Sequence, residues 1–137
     1  MTGLDHVAIL VSDLDAAVKL YRDVYGLHLD EIEEVPTEKV RVAIFGHGLG
    51  RVELVCPTDP ESPLAKRIKE KGEGLHHVCL AVPDIQKAMD GLTAAGAPLL
   101  DKVPRPGAGG SKVAFVHPKG SRGDRKSTRL NSSHIAV

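Results

Sequence analysis

Apolar residues alternate with small or polar ones over Leu4–Val11, and the same alternation returns over Leu75–Val82. Each run reads as a β-strand. After the first, Ser12 or Asp13 caps a helix whose Leu14, Ala17, Val18, Tyr21 and Val24 fall at helical spacing, and Gly26 ends it. After the second, Asp84 caps a helix over Ile85, Ala88, Met89 and Leu92 that stops at Gly96. The first half continues with strands over Leu27–Val35, where neither face is cleanly apolar, over Lys39–Phe45, and over Arg51–Cys56. The last two form a hairpin across the turn His47-Gly48-Leu49-Gly50. Pro57–Pro63 then breaks the pattern, and Leu64–Lys71 reads as a basic amphipathic helix joining the halves. The second half adds a short strand around Leu99 and Leu100 and a longer one over Lys112–His117.

The two halves are copies. An offset of 71 positions carries His6 onto His77, Val7 onto Val78, Val11 onto Val82, Asp13 onto Asp84, Leu14 onto Ile85 and Ala17 onto Ala88, while Gly26 and Gly96 match one position out. Such self-similarity marks an internal duplication. The predicted class is α+β, with two tandem βαβββ modules forming one domain over residues 1–123: module one about 3–57, a linker helix 58–72, and module two about 73–123. The last strand of the second half is expected to be missing or replaced. Asp124–His134 is polar and basic, without period-2 alternation, and resembles the conceptual translation of a sequencing-library adapter. Residues 124–137 therefore read as a foreign or disordered tail.

Composition narrows the classes. Lys plus Arg and Asp plus Glu number 18 each, so bulk charge points to neither nucleic acid nor a membrane surface. Tyr21, Tyr25, Phe45 and Phe115 are too few for a base-stacking platform. No apolar run reaches membrane-spanning length. Cys56 and Cys79 lie in apolar runs without CxxC spacing or a signal peptide ahead, which suits core thiols in a reducing cytoplasm.

The candidate chemistry lies in the repeated strands. A buried, unpaired imidazole costs roughly 1–3 kcal/mol, so each His needs a partner. Pseudo-twofold packing can point His6 and His77 into one cavity. Glu53, an acid inside the apolar strand Val52–Cys56, supplies a third donor. A His, His, Glu set suits a divalent ion such as Co²⁺, Mn²⁺, Zn²⁺ or Ni²⁺. Symmetry calls for a fourth ligand opposite Glu53, yet no Glu follows Glu73.

These residues carry a resemblance. Leu4-Asp5-His6-Val7-Ala8, Tyr25-Gly26-Leu27, Glu33-Glu34-Val35-Pro36, Arg51-Val52-Glu53-Leu54-Val55, Asp59 to Ala65, Gly72 to Val78, Arg105 to Gly110 and Phe115-Val116-His117-Pro118-Lys119 are similar to the methylmalonyl-CoA epimerase family of the vicinal oxygen chelate superfamily. The superfamily also holds glyoxalase I, extradiol dioxygenases and antibiotic-resistance proteins. The resemblance covers residues 3–123. It implies a curved mixed sheet around a metal, most commonly Co²⁺, held by His6, Glu53, His77 and a Glu on the final strand that would stand near Ser127. In some of the proteins it resembles, a second Glu stands on the strand equivalent to Lys39–Phe45, where this chain has Val42, so a second base is unassigned too.

The implied activity is epimerisation of (R)/(S)-methylmalonyl-CoA through an enolate, impaired here by loss of the last ligand, with the catalytic bases unassigned. An acyl-CoA tail would rest on Arg105, Gly107, Gly109, Gly110, Ser111 and Lys112. The resemblance further implies a cytoplasmic homodimer. Rival readings are a glyoxalase I-like lyase, a two-His, one-carboxylate Fe(II) dioxygenase, and a non-catalytic small-molecule binding module.

Overall fold

The first predicted strand runs as β1, Gly3–Leu10, in a computed structural model of the chain that describes residues 3–97, 99–106, 110–116 and, as backbone, 128–131. The other strands are β2 (Leu29–Val35), β3 (Val40–Phe45), β4 (Arg51–Pro57), β5 (Gly74–Ala81), β6 (Arg105–Pro106), β7 (Lys112–Val116) and β8 (Thr128–Asn131). They form one curved mixed sheet in the order β2-β3-β4-β1-β5-β8-β7-β6, open at both edges. β1 and β5 pair antiparallel at its centre, each flanked on the outside by a parallel partner, β4 or β8. The order reads the same outward in either direction, as two βαβββ modules joined back to back require.

The central register explains why. In the β1–β5 ladder Val7 faces Val78, the residue 71 positions on. A residue can face its own duplicate only where a local twofold axis passes between them. His6 then faces Cys79, and Ala8 faces His77, so the two His stand at symmetric places on either side of that axis.

Both helices start alike. Asp13 accepts a hydrogen bond from the Ala16 N–H ahead of α1 (Leu14–Lys19), and Asp84 accepts one from the Lys87 N–H ahead of α3 (Ile85–Ala94), each at 3.1 Å. These caps sit where the first-turn donors are otherwise unpaired. The helices end differently. α1 continues into a π-helical turn over Leu20–Val24, in which the Tyr25 N–H reaches the Leu20 carbonyl. Such a turn accommodates one extra residue, and this is the physical origin of the one-position slip between Gly26 and Gly96. Both glycines are left-handed, at φ +74° and +82°, where a side chain would be strained.

The linker helix α2 (Pro63–Lys71) is capped by Ser62 and packs Leu64 and Ile68 against Ala8, Leu10, Val35, Val40, Val42, Ile44 and Val55. On the other side of the first module α1 buries Leu14 and Val18 against Ala43, Phe45 and Leu54. In the second module Ile85 and Met89 of α3 close over Ala81, Ala114 and Val116. No helix among the described residues is long and apolar enough to cross a membrane.

One expectation changes, and one open alternative is narrowed. Leu99 and Leu100 do not form a strand: Leu99 makes a single bridge to Val116, and the edge strand is Arg105–Pro106. Asp101 accounts for part of this, because its carboxylate takes the Phe115 N–H at 2.6 Å that a paired strand would otherwise use. The final strand is replaced rather than missing. Thr128–Asn131, within the stretch read as a foreign tail, fills the slot between β5 and β7 as β8. Backbone pairing asks only for N–H and C=O groups at strand spacing, so a sequence without apolar alternation can occupy an internal slot. His117, assigned by pattern to the preceding strand, lies outside the described residues.

Leu54 is fully buried between α1 and the sheet. Leu54→Ala is expected to lower unfolding free energy by about 2–5 kcal/mol, read from the urea midpoint at unchanged slope.

Candidate metal centre

The β1–β5 ladder slips twice, between Leu4 and His6 and between Ala8 and Ile9. The residues passed over are Asp5 on β1 and His76 on β5, which are themselves 71 positions apart. Each strand therefore bulges at the position just before its paired His. A bulge re-aims the side chain it carries. Here it brings each bulged residue against the next imidazole: Asp5 Oδ2 lies 2.7 Å from His6 Nδ1, and His76 Nδ1 lies 2.6 Å from His77 Nδ1.

The outer edges of both rings are thus engaged, and the inner edges meet. His6 Nε2 stands 3.3 Å from His77 Nε2. An ionised Asp5 can only accept, so His6 Nδ1 carries the proton and its Nε2 presents a lone pair. Two states satisfy the remaining pair. Either His77 Nε2 donates to His6, or His77 donates through Nδ1 to His76 and two Nε2 lone pairs converge on the space between them. The second state offers both lone pairs to a cation. Two metal–nitrogen bonds of about 2.0–2.1 Å at tetrahedral or octahedral angles hold their nitrogens roughly 2.8–3.4 Å apart, which matches the observed separation.

Charge supports the same fit. Asp5, His6, Glu53 and His77 are all buried. Arg51 approaches Asp5 Oδ2 at 2.6 Å and Glu53 Oε2 at 3.8 Å. Among the described residues, two carboxylates thus face the one guanidinium. Burial pushes the Asp5 carboxyl up, but the hydrogen bond from His6 and the Arg51 guanidinium outweigh it and hold the group below the ordinary carboxylate range.

Glu53 is close, but on the other edge of the ring. Its Oε2 lies 3.2 Å from His6 Nδ1, not beside the Nε2 that faces His77. The three side chains are neighbours, and a shared cation requires the Glu53 carboxylate to turn about its own torsions. Among the described residues, the buried donors gathered within 4.8 Å of one another are instead Asp5, His6 and Cys79. Asp5, His76 and Arg51 were not singled out from sequence. The offset of 71 was signal enough for the first two, since it places a polar residue before each His.

Pseudo-symmetry locates the fourth position. Glu53 is opposite Ala8 on β1 and Ile44 on β3, and the matching place on β8 is opposite Cys79 and Phe115. Arg129 stands there. Counting along the chain pointed near Ser127, which lies outside the described residues, because the length of the β7–β8 connection is not written in any periodic pattern. Val42 is buried and forms part of the wall of a cavity with Val35, Glu38, Val40, Glu53, Val55, Leu64, His76, His77 and Phe115.

Of the predicted acyl-CoA lip, Gly110, Ser111, Lys112 and Arg105 line one hollow together. Gly107 and Gly109 lie outside the described residues. Arg105 also borders a second hollow that shares Glu38, Leu64, His76 and Phe115 with the cavity. Its guanidinium lies 4.6 Å from the Phe115 ring centroid and 3.6 Å from Glu38.

Comparison with known proteins agrees with this architecture. The sequence pattern of the Glyoxalase/Bleomycin resistance protein/Dioxygenase superfamily matches residues 5–115. The chain is 38% identical over 122 residues to an ethylmalonyl-CoA/methylmalonyl-CoA epimerase of Cereibacter sphaeroides, covering 88% of this chain and 91% of that protein. It is 37% identical over 117 residues to the mitochondrial methylmalonyl-CoA epimerase of Mus musculus, covering 85% of this chain and 66% of that one. A solved structure of a Streptomyces coelicolor methylmalonyl-CoA epimerase variant with 2-nitronate-propionyl-CoA superposes with a TM-score of 0.90 at 31% identity, over 98% of this chain and 99% of that one.

Removing the Asp5 carboxylate takes from Arg51 its 2.6 Å partner, leaving the longer contact with Glu53, and unpins His6. Asp5→Ala is expected to cost about 3 kcal/mol of unfolding free energy, measured by urea denaturation.

Proposed function

The chain belongs to the Glyoxalase/Bleomycin resistance protein/Dioxygenase superfamily, and from that premise we propose that it is a methylmalonyl-CoA epimerase-like isomerase working at a divalent cation held by His6, His77 and Glu53. The observation that carries the reading is the pair of Nε2 atoms 3.3 Å apart on the local twofold axis, each backed by its own bulged residue. The identity to named epimerases supports the substrate class. We take the expected ion to be Co²⁺, with Mn²⁺, Zn²⁺ and Ni²⁺ as alternatives. A cytoplasmic homodimer belongs to the same proposal and rests on the resemblance.

Epimerisation breaks the C–H bond next to the thioester, leaves the electron pair delocalised as an enolate, and returns a proton to the opposite face. A bound divalent ion supplies positive charge next to the developing enolate oxygen. The chain supplies the rest. Arg51 and Asp5 keep His6 in the tautomer whose Nε2 can ligate, and in the state where His77 donates through Nδ1 to His76 the same holds for His77. Val35, Val40, Val42, Val55 and Leu64 exclude water from the cavity wall. Arg105 and Lys112 offer charge to the phosphates of the acyl-CoA tail, and the hollows bordered by Arg105 lead from that lip to the cavity.

Proton transfer is where this chain is weak. The family's two carboxylate positions hold Val42 and Arg129, so the acid–base groups left on the cavity wall beyond Glu53 and His77 are Glu38 and His76. Glu38 is engaged by Arg105 at 3.6 Å. The reading is therefore of slow turnover. The same two substitutions favour one rival, a module that binds the acyl-CoA thioester without turning it over. We also read residues 124–137 as foreign to the family, and the encoding nucleotides beyond Gly123 test that separately.

Exchange of the α-proton of methylmalonyl-CoA with D₂O, followed by NMR, distinguishes the two. Exchange above the buffer rate that is lost in His77→Ala is expected; thioester binding without exchange, with or without added Co²⁺, would overturn the enzyme reading in favour of the module. Arg129→Glu is expected to raise Co²⁺ affinity at least about tenfold and the exchange rate with it.

A further inference from the structure

A second set of donors lies far from the cavity, at the outer edge of the first module. His28, Asp30 and His47 present ring nitrogens and a carboxylate oxygen that all lie within 4.8 Å of one another. His47 Nδ1 is 3.3 Å from Asp30 Oδ1, and the His28 and His47 rings lie with centroids 5.4 Å apart. All three residues are exposed.

The backbone builds this arrangement. The β2–β3 ladder shifts register between Leu29 and Glu31, so Asp30 is the extra, bulged residue. The Gly46 N–H donates to the His28 carbonyl at 3.0 Å and ties the start of β2 to the turn that follows β3. His47 sits in that turn between Gly46 and Gly48, at φ +93° and +67°, conformations that L side chains rarely adopt. Two left-handed glycines and a bulge thus bring together residues that are 19 positions apart at the extremes. The strand that carries the first two donors is acidic: from Leu27 to Glu38 the chain has Asp30, Glu31, Glu33, Glu34 and Glu38 and no Lys or Arg, while Arg41 of β3 reaches Glu34 at 3.9 Å.

We propose that His28, Asp30 and His47 form a surface site for a divalent first-row transition cation such as Zn²⁺ or Ni²⁺. Two imidazoles and one carboxylate are the donor types these borderline ions take, and three protein ligands leave the remaining positions to water. The 3.3 Å separation of His47 Nδ1 and Asp30 Oδ1 is the spacing that two bonds of about 2.0–2.2 Å to one ion impose. β2 is three strand positions from β1 in the sheet, roughly 14 Å at ordinary strand spacing, so this site cannot share an ion with His6 and His77. A bound ion ties the β3–β4 turn to the edge strand and stabilises the folded chain through binding linkage.

The test uses the metal-stripped full chain and Zn²⁺ titrated by calorimetry, alongside Ni²⁺-induced broadening of backbone amide signals. The double variant His28→Ala/His47→Ala is expected to bind one Zn²⁺ fewer than the parent and to lose the broadening at Gly46 and Gly48. Asp30→Asn is expected to weaken that equivalent at least about tenfold. All three changes are at exposed positions, so the fold is retained whether or not the central site binds. An unchanged number of Zn²⁺ equivalents in the double variant, or broadening that never reaches Gly46 and Gly48 in the parent, would overturn the proposal.

Discussion

The structure depends on one ladder, the antiparallel pairing of β1 with β5 in which Val7 meets its own duplicate Val78. Once that pair is on a local axis, everything attached to either strand is placed twice. The parallel partners β4 and β8, the capped helices, the bulges and the imidazoles all follow from it. A slip of one residue would turn the inward side chains of β5 to the opposite face and separate the His pair. The apolar neighbours that resist such a slip, Ala8, Leu10, Ala81 and Cys79, are among the most buried residues in the chain.

The duplication was legible because it is periodic. The offset of 71 residues, the strand and helix patterns and the recurring caps at Asp13 and Asp84 are local features repeated at a fixed distance. The pairing of His6 with His77 follows from that offset, and Glu53 stands out as an acid within an apolar run. What the sequence concealed is non-local. The bulges at Asp5 and His76 exist only in the pairing of two strands, and they decide which side chains back the imidazoles. The π-helical turn appeared in the sequence only as an unexplained slip between Gly26 and Gly96. The occupancy of the last slot by Thr128–Asn131 depends on backbone pairing, to which hydrophobic pattern is blind.

Charge links the centre to its chemistry. Two buried carboxylates, Asp5 and Glu53, flank the Arg51 guanidinium at 2.6 and 3.8 Å. On the other side of the axis the counterpart of Glu53 is an arginine. The first module thus carries an acid at this register position, and the second carries a basic residue. Symmetry of backbone has been kept while symmetry of charge has been lost.

The π-helical turn has a consequence for how such a duplicated fold can diverge. Its added residue is taken up in the outer layer, in a helix end none of whose residues is buried, and leaves the central strands untouched. The helices therefore act as slack between rigidly registered parts. Copies of unequal length can remain superimposable at their core, and a loss or gain of one residue in a covering segment is tolerated where the same change in β1 or β5 would dismantle the meeting point of the halves.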